Sequence, residues 1–355
     1  MFQVKINVEY TKVDYIIVGL GIAGTWLSHE LLAKGKNILV LNADIENTSS
    51  KKAAGLYNPI TGKKMVKTWR ADDFFITLED AYHALEKQIG KKVIHPKAIY
   101  RPFTDFSNQN DWQGRQFEPE FSTYVDDIKM SSLGIENIND PLGGILIGKS
   151  GYVDLPALLS AYKKLLVSKG IYHEEVFDVS QMSVEKDEVR YNGWSATKII
   201  FCEGTSLSSL WKDLPFRPVR GEIIDIDCNL PKDKIINQGV FIIPKQHFFT
   251  VGSTYDHQLL TFEPQNRGIE DIERRLGKIF AGEYRILDKR AGVRPATHDR
   301  KPYVGFHKKF RTLGIFNGFG TKGVSLTPYF AKHFVQALED NIEIEKEVNV
   351  ERVYQ

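Results

Sequence analysis

The alternation of apolar and polar positions changes character several times along the chain, and each change predicts an element. Residues 14–18 (DYIIV) are nearly all apolar, as expected of a strand buried on both faces of a parallel sheet. GLGIAG at 19–24 opens a helical stretch to about Lys34, with Ala23, Leu27 and Leu31 at four-residue spacing and Gly35 as its stop. ILVL at 38–41 is a second apolar strand, so strand, turn, helix and strand follow one another as in a βαβ crossover. Residues 49–65 are loop-like and rich in small residues, and a helix is predicted from about Asp73 to Gln88. VIHPKAIYRPF reads as exposed antiparallel strands, and 105–140 as irregular and polar. Residues 154–168 return to an amphipathic helix, capped by Asp154 with Pro156 in its first turn. IYHEEVFDV and ATKIIFCEG read as further strands of the first sheet.

RPVRGEIIDIDC, QGVFIIPKQ and HFFTVGSTYD alternate apolar and polar residues between turns, the pattern of an antiparallel sheet. A helix is expected over about 267–280 and a last one near 326–339, after a tail with several glycine-marked turns. The chain shows no repeats and no low-complexity tract. These elements predict an α/β fold of two discontinuous domains. Residues 1–90, 145–215 and 286–355 form a Rossmann-like nucleotide-binding layer, a parallel sheet with helices, and 91–144 with 216–285 form an antiparallel-sheet domain.

Composition narrows the class. With 355 residues, 42% hydrophobic and 26% charged, the chain is that of an ordered globular protein. Its 47 basic and 45 acidic residues are spread evenly, and no basic block points to a nucleic-acid or membrane-surface partner. Cys202 and Cys228, without a CxxC or a nearby His at ligand spacing, exclude a disulfide scaffold and argue against a metal site. No apolar run approaches membrane-span length, and the polar, alternating N-terminus lacks a signal-peptide core. A reducing, cytoplasmic setting is therefore expected.

The glycine turn is the first candidate for chemistry. Gly19 permits a tight turn, Gly21 lets backbone approach a phosphate, and Gly24 lets helix and strand pack closely. The helix N-terminus at Ile22 and Ala23 supplies unpaired N–H groups for the anion. A glycine-marked turn without a ligand is the alternative, and its soft spot is Asn42. The second strand of such units usually ends in Asp or Glu, whose carboxylate accepts from both ribose hydroxyls; an Asn amide offers one acceptor and one donor group. Asn42 or Asp44 could hold a ribose, and this stretch alone does not choose between them.

Three further segments extend the pattern: AAGLYNPITG (53–62), PVRGEIIDI (218–226), and AGVRPATHDRKPYVG (291–305) followed by NGFGTKGVSLTP (317–328). With the N-terminal turn they resemble, in the same order and over nearly the whole chain, the D-amino acid oxidase family of FAD-dependent oxidoreductases. The branch resembled is the one containing glycine oxidase and sarcosine oxidase. The resemblance implies a non-covalent FAD, since no Cys lies beyond 228 and Ser49-Ser50-Lys51-Lys52 offers no His for attachment. It turns the first domain into an FAD-binding one and the second into a substrate-binding one.

It further implies that Ser50, Ala53, Gly55 and Leu56 lie along the flavin, that the backbone of Val176 meets the adenine, and that Gly204 sits close to the cofactor. FCEG stands where the family commonly has Ala-Thr-Gly, so Cys202 and Glu203 depart from its pattern and have no assigned role. Gly320, Thr321, Lys322 and Gly323 would face the pyrimidine edge, where a helix N-terminus stabilises the charge of the reduced ring. Arg294 would pair with a substrate carboxylate, with a structural salt bridge as its alternative role. Lys322 and Thr321 complete the catalytic candidates, although Thr321 stands where glycine oxidase has a second arginine. Tyr57, His247, Tyr255 and His257 are weighed as pocket residues against a scaffold role.

The activity implied is oxidation of an amine or amino acid, with hydride passing from the α-carbon to flavin N5, an imine that hydrolyses, and oxygen or another electron acceptor. Alternatives are an oxidase acting on a modified tRNA base, an NAD(P)-dependent dehydrogenase, and an FAD-binding protein without turnover.

Overall fold

A computed structural model describes residues 9–62 and 64–354. Contacts divide the chain into two units: Met1–Lys51, Leu159–Pro218 and Arg294–Gln355 make one, and Lys52–Leu158 with Val219–Val293 make the other.

The first unit is built on a mainly parallel sheet whose central strands are Thr11–Val18 and Trp194–Phe201. Ile38–Asn42 and then Tyr172–Glu174 extend it on one side, both parallel to their neighbours. On the other side Trp194–Phe201 has two partners: the hairpin strand Val189–Tyr191 beside its first half and Leu313–Asn317 beside its second. The near-continuous apolar strands are explained by cover on both faces. Ile16, Val18, Leu39, Leu41, Ile199 and Phe201 turn toward Trp211, Leu214 and Tyr303. Behind the opposite face, the first helix, Ile22–Ala33, packs against the last, Gly323–Glu339. The first strand begins three residues before the apolar run, because Thr11–Val13 pair with Trp194–Ala196 at the exposed end of the sheet.

The second unit carries an eight-stranded sheet ordered Tyr284–Arg294, Val219–Cys228, Phe249–Gly252, Val240–Pro244, Ile235–Gln238, Ile99–Pro102, Gly144–Ile147 and Val125–Lys129. Alternation decides its two faces. Ile224, Ile226, Ile242, Phe249 and Val251 pack beneath the helix Asn266–Leu276, through Ile269, Ile272 and Leu276. A small sheet joins Leu56–Tyr57 to Gly151–Val153 and then Ile94–Pro96. That pairing carries residues 52–90 and 145–158 into this unit, where the sequence reading placed them with the nucleotide-binding layer.

Several expectations are corrected. The 94–102 strands are not exposed: Ile94, Ile99 and Tyr100 are buried, since Ile99–Pro102 lies between two neighbours inside the sheet. Residues 105–140 are not irregular throughout. The Asp105 carboxylate accepts from the Asn108 N–H (2.8 Å) and opens a helix, Phe106–Arg115, and a strand follows at Val125–Lys129. That helix shows no apolar stripe because its buried residues are only Gln109 and Trp112, the latter with the Arg115 guanidinium 4.5 Å over its ring. The 73–88 helix is two, Ala71–Phe75 and Leu78–Ile89, and IYHEEVFDV pairs only at Tyr172–Glu174. The Asp154 cap is present, accepting from the Ala157 N–H at 3.1 Å. No helix of the described residues is long and apolar enough to cross a membrane.

PVRGE contributes a buried ion pair. Arg220, 1% exposed, bonds Glu222 (2.8 Å) and the Thr261 carbonyl (2.8 Å), while Glu222 accepts from the Gln265 N–H (3.0 Å). Arg220→Met leaves a buried carboxylate without its partner and is expected to cost about 3–5 kcal/mol in chemical denaturation. Arg220→Met with Glu222→Leu should recover much of that loss, because neither charge then remains buried alone.

Candidate functional site

In the first unit the glycine turn is packed without room for side chains. A Cβ on Gly24 would lie 1.9 Å from the Gly19 carbonyl oxygen, so the helix begins against its own entry turn, and Gly19 has φ +97°. The Ser50 hydroxyl accepts from the Ile22 N–H (3.1 Å), and the first bond of the helix runs from the Thr25 N–H to the Gly21 carbonyl (2.9 Å). The N–H groups of Ala23 and Gly24 have no partner among the described residues and stand at the positive end of the helix.

Asn42 and Asp44 occupy different roles. The Asn42 side-chain oxygen accepts from the Leu20 N–H (2.9 Å) and its NH2 donates to the Tyr172 hydroxyl (3.2 Å), so this amide ties the glycine turn to the strand end. A carboxylate could only accept, from the Leu20 N–H and from the Tyr172 hydroxyl. Asp44 accepts from Lys51 (3.0 Å) and Lys163 (2.6 Å), and these lysines hold its carboxyl below the usual range. Lys163 also reaches Glu174 (3.0 Å). Val176 lies past the end of the 172–174 strand and is 74% exposed.

At the neighbouring strand end, Cys202 is buried with its carbonyl against Gly19, and Glu203 accepts from the Ser208 N–H (3.1 Å). Burial pushes the Glu203 carboxyl up to about 7. The two departures from the family pattern thus shape the loop that starts at Gly204. Asn317, unremarked in the sequence, is the missing link: its NH2 donates to the Gly204 carbonyl (2.9 Å) and its oxygen accepts from the Gly318 N–H (2.7 Å). Its place at the head of NGFGTKG was the available signal.

The C-terminal turn, Gly320–Lys322, leads into the Gly323–Glu339 helix, which starts at 323 rather than near 326. A Cβ on Gly323 would meet the Ile22 side chain at 3.2 Å, so the N-termini of the first and last helices meet. Gly320 donates its N–H to the Pro295 carbonyl (3.2 Å), and Ala296 bridges Phe319. Arg294, half-buried at the end of its strand, is therefore brought beside the 319–322 turn. Thr321 is exposed. Lys322 is half-buried without an ion pair among the described residues, and burial, then Arg300, lowers its ammonium pKa.

In the second unit the 53–56 loop is fixed by backbone. A Cβ on Gly55 (φ +80°) would lie 1.9 Å from the Val153 carbonyl oxygen, and the Gly55 carbonyl accepts from the Val153 N–H (2.9 Å). The Ala54 carbonyl accepts from Lys245 Nζ (3.2 Å), a contact the sequence reading missed although Lys245 is the one charge in FIIPKQ. Leu56 pairs with Tyr152, and Ala53 is exposed. Tyr57 is buried and donates to Glu79 (3.2 Å), a scaffold role, whereas His247, Tyr255 and His257 are exposed. No His, Cys, Asp or Glu cluster among the described residues could hold a metal.

Meeting helix N-termini, unpaired N–H groups and glycines that exclude side chains fit the pyrophosphate and flat ring of a dinucleotide. A sequence model of the family described as DAO, FAD dependent oxidoreductase, matches residues 14–337. The bifunctional tRNA 5-methylaminomethyl-2-thiouridine biosynthesis protein MnmC of Legionella pneumophila is 24% identical over 318 residues, covering 84% of this chain and 47% of that protein. Glycine oxidase of Bacillus licheniformis is 23% identical over 338 residues, covering 89% of this chain and 90% of that protein. The chain thus spans about half the length of the bifunctional relatives it matches. Glycine oxidase from Geobacillus kaustophilus shares the fold, with TM-score 0.77 at 20% identity over 94% of this chain and 96% of that one.

Asn42→Ala removes the acceptor of the Leu20 N–H and is expected to weaken FAD binding roughly tenfold, read by titrating the apoprotein with FAD and following flavin fluorescence. Asp44→Ala should weaken it less, because its carboxylate is already held by two lysines.

Proposed function

Because this chain belongs to the DAO family of FAD-dependent oxidoreductases, we propose that it oxidises the C–N bond of a small amine or amino acid. Bound FAD supplies the acceptor for the two electrons and the hydrogen that leave the substrate α-carbon. The chain's residues bind and orient. The observation that carries the reading is the position of Arg294 beside the Gly320–Lys322 turn, within one unit. A guanidinium there can grip a carboxylate in two parallel hydrogen bonds and hold the α-carbon in one place. The Gly323 helix N-terminus and Lys322 face charge that grows on the cofactor side, where fixed dipoles and an unpaired ammonium need no reorganisation.

No strong base is required. An amine held neutral lends its lone pair as hydride departs, and the imine then takes up water to give a carbonyl compound and the released amine or ammonia. Thr321 leaves one side of the pocket without the second cation of glycine oxidase, which favours a substrate other than glycine itself. Oxygen or another acceptor would complete the cycle.

The test is anaerobic bleaching of the FAD-loaded protein by a panel of glycine, sarcosine, proline, D-amino acids and unfractionated tRNA. Bleaching by a free amine or amino acid supports the reading; bleaching by tRNA alone transfers it to a modified base. FAD retention without bleaching by any member leaves a binding protein and defeats it. For a carboxylate substrate, Arg294→Met should raise KM by about 10- to 100-fold, the loss of one charge-assisted pair, and an unchanged KM removes Arg294 from its role.

A further inference from the structure

The carboxyl ends of four neighbouring parallel strands lie side by side in the first unit. Ile38–Asn42 ends in an amide, Thr11–Val18 runs into Gly19, Trp194–Phe201 runs into Cys202 and Glu203, and Leu313–Asn317 ends in a second amide. Val18 is paired with Leu41 on one side and Phe201 on the other, and Phe201 in turn with Ile315. Ligands of open parallel sheets bind outside such strand ends. Two carboxyls stand just beyond them. Asp44 is neutralised by Lys51 and Lys163, whereas Glu203 has no ion pair among the described residues.

Glu203 is also held against the glycine turn. The Cys202 N–H donates to the Val18 carbonyl (2.7 Å), and a Cβ on Gly19 would lie 2.6 Å from the Cys202 carbonyl oxygen and 3.5 Å from the Glu203 Cα. On the far side the Ser206 N–H donates to the Glu203 carbonyl (3.1 Å), the Ser208 N–H to its carboxylate (3.1 Å), and Asn317 to the Gly204 carbonyl (2.9 Å). The backbone on both sides of Glu203 is thus fixed. The same turn opens onto the Ala23 and Gly24 N–H groups, unpartnered among the described residues at the positive end of the first helix, where an anion would bind. A half-buried carboxylate with no cation, so close to an anion site, opposes the anion unless it carries a proton.

We propose that Glu203 is a proton-linked determinant of cofactor binding: with its carboxyl protonated the glycine turn takes the FAD pyrophosphate, and with it ionised the turn repels it. The inference rests on the assignment of FAD to this chain and uses residues of the first unit only. Burial, opposed by the bonds from Ser208, pushes the carboxyl up to about 7, so both forms occur near neutrality. Of the elements around it, the glycine turn and the Asn317 strand end bring no titratable group. The 202–208 loop brings only Cys202, whose thiol burial, then Glu203, holds well above its ordinary value and therefore neutral.

FAD affinity of the apoprotein, measured by flavin fluorescence from about pH 5.5 to about 8.5, should fall on the order of tenfold as pH rises through about 7. The sign follows from the proton: a bound anion raises the carboxyl's pKa further, so binding takes up a proton and weakens where the free protein has lost it. Glu203→Gln is uncharged at every pH and still accepts from the Ser208 N–H, so it should keep the low-pH affinity and abolish the step. Circular dichroism and melting of the variant apoprotein check its fold. Calorimetry of FAD binding to the wild type at about pH 7, in buffers of different ionisation enthalpy, should show net proton uptake. A wild-type affinity flat across the range, or binding without proton uptake, overturns the proposal, as does a step that survives in folded Glu203→Gln. Failure of the wild type to take up FAD at any pH would instead overturn the cofactor assignment on which the proposal stands.

Discussion

The first unit depends on how closely its first helix approaches the turn that launches it. With the Gly19 carbonyl where a Cβ of Gly24 would be, helix and turn share space that no side chain can enter. The rest follows from that contact. At the helix N-terminus Ser50 takes the Ile22 N–H, the N–H groups of Ala23 and Gly24 have no partner among the described residues, and Asn42 pins the turn through Leu20. The last helix then reaches the same place through Gly323. Two partial positive charges come together there, which is the electrostatic requirement for holding a dinucleotide.

The charged groups sort into two kinds. Arg220 with Glu222, and Asp44 with Lys51 and Lys163, neutralise each other and stiffen the backbone around them. Lys322 and Lys245 have no carboxylate within ion-pair distance among the described residues, and burial lowers the pKa of each ammonium. A charge kept without a counter-ion near backbone turns is what a site needs if it is to meet an anionic or electron-rich ligand, and it is what a purely structural residue avoids. Glu203 shows the reverse effect, a carboxyl pushed toward neutrality by burial beside the Gly19 turn.

The parallel strands and the glycine turn were legible because burial on both faces writes an uninterrupted apolar run and because only glycine survives such close packing. The 106–115 helix was illegible for the opposite reason: a single tryptophan under an arginine does the work of a stripe. The 94–102 strands read as exposed because prolines, a lysine and an arginine interrupt their alternation, while their neighbours in the sheet come from segments far away in sequence. Asn317 and Lys245 escaped for a related reason, since each acts on a carbonyl more than a hundred residues away.

By itself the sequence determined the class of the molecule. The order of apolar runs, glycines and alternating strands specified a parallel layer and an antiparallel one, and the motifs specified the family, because these depend on local sterics and on which faces must be dry. The tertiary structure alone decided the partners. It showed that Asn42 ties the glycine turn to the strand end, that Asp44 is held by two lysines, and that Arg294 comes beside the 319–322 turn. Such pairings are set by where distant strands end, and the spacing of residues along one strand carries no record of them.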